Sequence, residues 1–216
     1  MDSSQNKIAV VGMWCRFPGA NSPAAFWENL CSGKVTIQRL EREAMIADGV
    51  APSDLDHPDY VPYRGLLDDA LMFDPASFGM SPAEAALTDP QHRQFLECAR
   101  LALQDAGIDG RDLTRTAVFA AQSHNEYRTA CLSGASEIAS FSADVLNGAA
   151  HLATSVAYRL GAEGAALTVQ TACSSSLVAV HLACQALHAG ECDLAIVGGV
   201  AIGWPQHVGY KYVPDG

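Results

Sequence analysis

Cys173 is the residue of this sequence best placed to act as a nucleophile. It lies in the segment 167–190, LTVQTACSSSLVAVHLACQALHAG, which predicts a buried strand, a tight turn and a long apolar helix. The first turn of a helix leaves backbone N–H groups without acceptors and carries a partial positive charge. This setting favours the thiolate form of a cysteine, which is the nucleophilic form. Cys173 is therefore a candidate nucleophile for acyl transfer.

Small residues surround this cysteine, with Thr-Ala before it and three serines after it. A strand-to-helix turn built from small residues lets a substrate approach closely, and its N–H groups can face a developing oxyanion. A buried cysteine is more often a small hydrophobic residue than a nucleophile, so from the residues alone both interpretations stay open. The hydrophobic interpretation is our expectation for the other six cysteines, which are Cys15, Cys31, Cys98, Cys131, Cys184 and Cys192.

A cysteine nucleophile also needs a base or a cationic neighbour, and the sequence offers no convincing one. His181 lies eight residues further along the same predicted helix, about 12 Å away, and cannot touch Cys173. His188 falls in the last turn, where a positive charge suits the helix dipole. His124 and His151 stay open as candidates, but nothing in the sequence favours them.

The composition excludes several classes of protein. The net charge is −11 and only 13 basic residues are scattered along 216 positions, which is unlike a nucleic-acid-binding protein. The apolar run 177–187 is too short to span a membrane, so no membrane segment is expected. The cysteine and histidine spacings match no metal site, and we expect neither a metal nor a directly bound cofactor.

The same features suggest a compartment. The N-terminal sequence MDSSQNKIAVVG has no basic region followed by an apolar region, so it does not predict a signal peptide. The cysteine count is odd and no C-x-x-C pair occurs, as expected for reduced thiols in a cytoplasmic protein.

The predicted elements alternate between apolar strands and helices, which indicates an α/β fold with a mostly parallel sheet and helices on both faces. Residues 35–75 show weak periodicity and predict a long surface excursion. We expect Phe26, Trp27 and Leu30 to pack in the core, and His92 and Arg93 to be solvated or locally bonded. The predicted strands are 7–11, 116–122, 165–171 and 193–202, and the main predicted helices are 23–33, 82–88, 90–107, 148–161 and 173–189, with Ser22, Ser81, Asp89 and Asn147 as N-caps.

The predicted helix 173–189 is apolar nearly all round, and such a helix has no solvent-facing side. It should therefore lie between two layers. With about four strands, the chain supplies at most one sheet, so a second sheet must come from elsewhere. This pattern predicts that the chain is half of a larger domain.

TACSSSLVAVHLACQALHAGECDLAIVGGV closely resembles the active-site segment of β-ketoacyl synthases, specifically the ketosynthase domains of modular type I polyketide synthases. The resemblance covers nearly the whole chain as an incomplete N-terminal domain, residues 1–216. Further blocks are similar in the same order, namely IAVVGMWCRFPGA, FWENLCSG, FDPASFGMSPAEAALTDPQHRQFLECARLALQDAGID and ATSVAYRLGAEGAALTVQTACSSS. Gln170 departs from the family, many members of which carry an acidic residue there.

The resemblance implies a thiolase-like fold of two similar halves, of which this chain would be the N-terminal one, with the nucleophile at the N-terminus of a buried helix. By this resemblance, Cys173 takes an acyl chain from the phosphopantetheine thioester of an acyl carrier protein. It then undergoes decarboxylative condensation with a malonyl-type extender to give a 3-ketoacyl thioester, as in polyketide and fatty acid biosynthesis. Other polyketide synthase domains would be partners, and the complete domain would be a homodimer.

The family's two catalytic histidines and supporting lysine lie in its second half and have no counterpart among residues 1–216. An alternative interpretation is therefore a truncated, non-catalytic fragment. A thiolase-like enzyme that degrades ketoacyl thioesters is a weaker alternative, because the DPQHR and CRFPG blocks look like those of a synthase.

Overall fold

A computed structural model describes residues 7–108, 110–124, 126–132 and 137–214. The helices within these residues are α1 (Pro23–Cys31), α2 (Arg42–Ala47), α3 (Pro52–Leu55), α4 (Pro82–Leu87), α5 (Pro90–Asp105), α6 (Tyr127–Leu132), α7 (Glu137–Asn147), α8 (Leu152–Leu160) and α9 (Ser175–His188). The strands are β1 (Gln38–Arg39), β2 (Tyr60–Val61), β3 (Tyr63–Arg64), β4 (Thr116–Gln122), β5 (Ala166–Thr168), β6 (Leu194–Val200) and β7 (Tyr210–Lys211).

The described chain divides into two compact units. The first combines residues 7–14 with Leu71–Ile202 and contains Cys173, and the second combines Cys15–Ala70 with residues 203–214. None of the helices in the described ranges is long and apolar enough to cross a membrane.

A three-stranded parallel sheet forms the centre of the first unit, with the strand order β5-β4-β6. Val118 of β4 lies opposite Ala166 of β5 and Ile196 of β6. Every residue of β4 from Thr116 to Ala121 is buried, which is typical of a parallel strand covered on both faces. The predicted α/β class and parallel sheet are therefore confirmed.

The two faces of this sheet carry separate apolar clusters. On one face α5 and α8 pack against the sheet, and on the other face α9 packs against it. The first cluster includes Phe95, Leu96, Leu103, Val118, Leu152 and Val156, and the second includes Phe119, Val169, Ala179, Ala183 and Ala186.

Three alanines on the inward side of α9 lie close to the sheet, and the opposite side of the helix is open. Ala179, Ala183 and Ala186 follow one another at intervals of four and three residues, so they share one face of the helix and let it approach the sheet closely. Leu177 is 75% exposed and Val180 is 46% exposed. This open side agrees with the prediction that the chain supplies only one sheet, because no second layer covers the outer side of α9 within the described residues.

The predicted strand 7–11 is also absent. A strand exists only where another strand completes its hydrogen bonds, and no described residue pairs with this segment. It runs instead beside α5, where Met13 N–H donates to the Asp105 carboxylate over 3.0 Å. A Cβ at Gly12 would lie 2.3 Å from the Ala102 carbonyl oxygen, so only glycine permits this approach.

The expectation that α1 packs in the core is wrong as well. The helix begins after its predicted cap, since Ser22 Oγ accepts from Ala25 N–H over 3.2 Å. None of its residues is buried, however, and Trp27 is 67% exposed. Phe26 has one aromatic neighbour in the second unit, Phe17, with ring centroids 4.5 Å apart. Apolar spacing predicts that a helix has an apolar contact, but it does not say which segment supplies that contact.

Asn147 does not cap the helix that follows it. It is the last residue of α7, and its side-chain amide donates to the carbonyls of Ala143 and Leu87. The helix α8 begins at Leu152 after a short 3₁₀ turn and ends, as predicted, before Gly161 in the left-handed region. The predicted caps Ser81 and Asp89 are confirmed.

The second unit turns the predicted surface excursion into short elements. Antiparallel pairs join β1 to β3 and β2 to β7, so residues after 203 return to a closing strand that the sequence did not predict. Arg64 donates to the carbonyls of Pro205 and Val208, and the His207 backbone and ring both contact the Asp48 carboxylate over 2.9 Å.

Two leucines test which face of the sheet stabilises the chain. Leu152 is fully buried between α8 and the sheet, whereas Leu177 points outward from α9. We expect Leu152→Ala to lower the free energy of unfolding by about 3 kcal/mol through a buried cavity, and Leu177→Ala by less than about 0.5 kcal/mol. Urea unfolding of both variants measures this, and equal losses would contradict the assignment of the outer face of α9.

Candidate active site

Cys173 lies in a 3₁₀ turn, Ala172–Ser174, that runs directly into α9 at Ser175. The helix therefore begins two residues later than predicted. The thiol is exposed, as a nucleophile must be. β5 ends at Thr168, so the turn stands beyond the carboxyl edge of the parallel sheet, which is where α/β proteins place their ligands.

The turn contains an unusual backbone conformation. Ala172 has φ of +56°, in the left-handed region that a residue with a Cβ adopts at a cost of roughly 1–2 kcal/mol. Such strain persists only where surrounding contacts hold it, and it clusters at functional sites. The strand–turn–helix elbow expected from the small residues around Cys173 is thus present, with its strain located one residue before Cys173.

Serine hydroxyls hold this turn. Ser175 Oγ accepts from Thr171 N–H over 2.8 Å and donates to the Ala172 carbonyl over 2.8 Å. Ser174 Oγ donates to the Thr171 carbonyl over 2.8 Å and lies 2.9 Å from Thr171 Oγ1. Both hydroxyls are thereby turned back toward the strand.

As a result, no side chain of the described residues caps the beginning of the helix. Ser174 occupies the N-cap position of α9 without a capping hydrogen bond, and Thr171 does the same for the 3₁₀ turn. N–H groups of a first turn have no acceptor within the helix. The Cys173 N–H consequently has no side-chain acceptor among the described residues.

The Cys173 thiol has no acid–base partner in the described part of the chain, where nothing hydrogen-bonds to it. His124, His151, His181 and His188 are all exposed, and none is paired with Cys173. The described residues also contain no cluster of side chains that could hold a metal ion.

Gln91 connects the strands beneath this edge of the sheet. Its Oε1 accepts from the N–H groups of Ser123 and Ile202, each over 3.2 Å, and its Nε2 donates to the Ser123 carbonyl over 2.9 Å. These residues follow β4 and β6, so one fully buried side chain joins the ends of both strands to the first turn of α5. Sequence reasoning missed Gln91, although it lies four residues before Phe95 and so continues the buried stripe of α5.

Gln170 has a related role on the other side. Its Nε2 donates to the Gln122 carbonyl over 3.0 Å, joining the segment before Cys173 to the end of β4. An amide can make this bond, whereas an ionised carboxylate cannot donate. The residue that departs from the family pattern therefore has a structural use here.

Of the two expectations for His92 and Arg93, which were that they are solvated or locally bonded, the first is wrong, because both are buried in the first turn of α5. Arg93 Nη1 donates to the Leu71 carbonyl over 2.9 Å, and its guanidinium stands 5.6 Å from the centre of the Tyr127 ring. The first turn of α5 is polar in sequence and yet inserted into the unit, a combination that the amphipathic pattern alone does not reveal.

Burial lowers the pKa of His92 below its ordinary value. Asp89 and Gln122 act in the opposite direction, and His151 lowers the pKa further. The largest effect is the loss of hydration, which penalises the charged imidazolium. His92 is therefore a neutral group of the interior near pH 7.

The other cysteines differ in burial, and Cys98 and Cys184 are partly buried. Burial raises the pKa of Cys15, Cys131 and Cys192, which keeps these thiols protonated and unreactive, as expected. Cys31 is exposed, so the prediction that it is a buried hydrophobic residue is wrong. It ends α1, a helix without buried residues.

Comparison with known proteins agrees with this geometry. The family described as "Beta-ketoacyl synthase, N-terminal domain" matches residues 5–211, and the chain belongs to that family. A subunit of the phenolphthiocerol/phthiocerol polyketide synthase of Mycobacterium tuberculosis is 42% identical over 225 residues, covering 99% of this chain. Polyketide synthase PksN of Bacillus subtilis is 34% identical over 98% of the chain.

Solved structures show the same fold. Ketosynthase twelve of the bacillaene polyketide synthase from Bacillus amyloliquefaciens superimposes on 98% of this chain with a TM-score of 0.88 and 31% identity. The ketosynthase from module 1 of the bacillaene synthase covers 99% with a TM-score of 0.82 and 30% identity. The thiolase-like fold class is thereby confirmed.

The chain spans only part of each relative. It corresponds to 15% of the mycobacterial polyketide synthase subunit and 4% of PksN, and to 37% of each of the two bacillaene ketosynthase chains.

The buried histidine predicts a dependence of stability on pH. An unfolded histidine takes up a proton near pH 6.5, whereas His92 in the folded chain resists it, so the unfolded state binds more protons as the pH falls. The contribution of His92 is therefore intact above about pH 6.5 and is lost below it, with a slope of at most about 1.4 kcal/mol per pH unit.

Urea unfolding between pH 7.5 and pH 5 measures this effect. We expect His92→Gln to flatten the profile, whereas His181→Gln, at an exposed position, serves as the control for removing a histidine. An unchanged profile in His92→Gln would assign the pH dependence to other groups.

Proposed function

We propose that this chain is the N-terminal part of a ketosynthase and that Cys173 is its acyl-accepting nucleophile. The observation that carries the proposal is the exposed thiol at a strained strand-to-helix turn with an uncapped backbone N–H beside it. The turn lies within the residues that match the β-ketoacyl synthase family.

In the proposed acylation, the Cys173 thiolate attacks the carbonyl carbon of an acyl thioester. The carbonyl oxygen becomes an oxyanion, which the Cys173 N–H stabilises from the first turn. Collapse of this intermediate re-forms the carbonyl, breaks the bond to the departing thiolate and leaves the acyl group on Cys173. The departing thiol belongs to the phosphopantetheine arm of an acyl carrier protein, so the arm enters with the substrate and is not a resident cofactor.

In the proposed condensation, a malonyl-type thioester loses CO₂ and its carbanion attacks the acyl group on Cys173. A 3-ketoacyl thioester forms and the Cys173 thiolate is released. This step needs groups that stabilise the enolate and handle protons, and no described residue stands ready for it at Cys173. The resemblance assigns those groups to two histidines and a lysine in the second half of the domain.

The wider assignments belong to the same proposal. Acyl carrier protein and other polyketide synthase domains are the proposed partners, in a cytoplasmic assembly that makes polyketide or related fatty acyl chains. A homodimer of the complete domain is supported by β5, whose outer edge is unpaired within the described residues and whose Leu167 is half exposed.

The acylation step predicts a mass change. On incubation with an acylated carrier protein, we expect the chain to gain the mass of one acyl group, and Cys173→Ala to abolish the gain. Cys31→Ala removes another exposed thiol and is the matched control, so loading should be unchanged. Intact-mass spectrometry measures all three proteins, and acylation that survives in Cys173→Ala would place the nucleophile elsewhere.

The second candidate function is a non-catalytic fragment, which is favoured by the open apolar side of α9. For the 216-residue chain we expect acyl loading without carbon–carbon bond formation, because Cys173 lacks an acid–base partner among the described residues. Incubation with acyl- and malonyl-carrier proteins, followed by mass analysis of the carrier, measures ketoacyl product. Robust product formation by this chain would contradict the expectation.

A further inference from the structure

The hydroxyl of Ser175 acts on the peptide group that supplies the Cys173 N–H. Its residue is buried at the start of α9, and its Oγ donates to the Ala172 carbonyl over 2.8 Å. That carbonyl and the Cys173 N–H belong to one planar, trans peptide unit, so they point in opposite directions. Fixing the carbonyl on one side therefore fixes the direction of the N–H on the other.

A second hydrogen bond locks the same hydroxyl in place. Ser175 Oγ accepts from Thr171 N–H over 2.8 Å, so the side chain bridges the two sides of the left-handed Ala172. The bridge keeps Ala172 at a φ that alanine otherwise avoids. The orientation of the next peptide, which bears the Cys173 N–H, depends directly on that φ and on the ψ that accompanies it.

Donation to the carbonyl also changes the electronic character of the peptide. Hydrogen bonds in a chain polarise one another, so a carbonyl that accepts a hydrogen bond makes the N–H of the same peptide a stronger donor. The chain of donors here runs from Thr171 N–H through Ser175 Oγ–H to the Ala172–Cys173 peptide. It ends at the N–H that no described side chain caps.

We propose that Ser175 is a positioning residue for acyl transfer, which orients and polarises the Ala172–Cys173 peptide so that the Cys173 N–H can bind the oxyanion. The inference rests on the proposed role of Cys173 as acyl acceptor. Ser175 is proposed to act on the N–H of Cys173 and not on the position or reactivity of its thiol. The two effects can therefore be measured separately.

Two reactions of the same thiol distinguish the roles. Attack on a thioester passes through an oxyanion, whereas alkylation by iodoacetamide displaces iodide from carbon without one. We expect Ser175→Ala to slow acyl transfer from a small acyl thioester on the order of tenfold, less than the loss of a whole oxyanion donor. Alkylation of Cys173 should stay within about twofold of the unsubstituted chain, since the thiol remains exposed.

Matched variants control the comparison. Ser176→Ala removes a neighbouring hydroxyl that makes no hydrogen bond among the described residues, and both rates should be retained. Ser175→Thr keeps the hydroxyl and should restore acyl transfer. Should Ser175→Ala fail to fold, Ser175→Cys retains the shape with a weaker donor and should lower acyl transfer but not alkylation, with peptide mapping used to separate the two thiols.

An NMR measurement makes the inference independent of acyl transfer. Loss of the bond to the Ala172 carbonyl should move the ¹⁵N resonance of Cys173 upfield in Ser175→Ala, but not in Ser175→Thr. If the unsubstituted chain takes up no acyl group, the proposed function fails while the resonance still decides the role of Ser175. Equal slowing of acyl transfer and alkylation, unchanged acyl transfer, or an unmoved resonance would each overturn the proposal.

Discussion

The burial of β4 on both faces is the constraint on which the first unit depends. A strand of Thr, Ala, Val and Phe that is covered completely can exist only with helices above and below it. α5 and α8 cover one face and α9 covers the other, and hydrogen bonds to β5 and β6 complete the strand edges. The carboxyl end of β4 then becomes a fixed point, to which Gln91 attaches the first turn of α5 and Gln170 attaches the segment before Cys173.

The turn at Cys173 leaves the N-terminus of α9 without a side-chain cap. Serine is a preferred N-cap residue, and a serine at this position would usually satisfy an N–H of the first turn. Here Ser174 and Ser175 direct their hydroxyls back to Thr171 and Ala172. These hydrogen bonds stabilise the strained backbone at Ala172 and leave the N–H groups of the helix N-terminus uncapped. An uncapped N-terminus costs about 1 kcal/mol of helix stability. The tight packing of α9 against β4 offsets this cost.

Much of this arrangement could be predicted from the order of residues. Apolar strands alternating with capped helices predict a parallel sheet, and a small-residue turn between strand and helix predicts an exposed side chain at Cys173. The hydroxyl network could not be predicted, because a positive φ at Ala172 is not expected of alanine and decides where Ser175 can bond. The role of Gln91 could not be predicted for a different reason. Its hydrogen-bond partners follow β4 and β6, which are distant from it in sequence.

Errors about burial have a common physical origin. An apolar pattern shows that one face of an element is stabilised by burial, but it does not show which segment covers that face. The segment 7–11 lacks a partner strand, and Trp27 of α1 lacks a covering layer, among the described residues. In each case the apolar pattern predicts a contact that no described residue supplies.

For the outer side of α9, the free energy of the missing contact can be estimated. α9 places three alanines against the sheet and packs Val178, Leu182 and Leu187 beside them, partly buried. Leu177 and Val180, by contrast, are directed outward. Complete burial of such side chains is worth about 1.5–3 kcal/mol each. Large apolar residues on this side stabilise the fold only if another layer covers them. The chain spans 37% of the bacillaene ketosynthase chain with which it superimposes. The helix that carries Cys173 therefore has an apolar surface on both sides. Small side chains pack closely on the sheet side, and large side chains stand on the outer side.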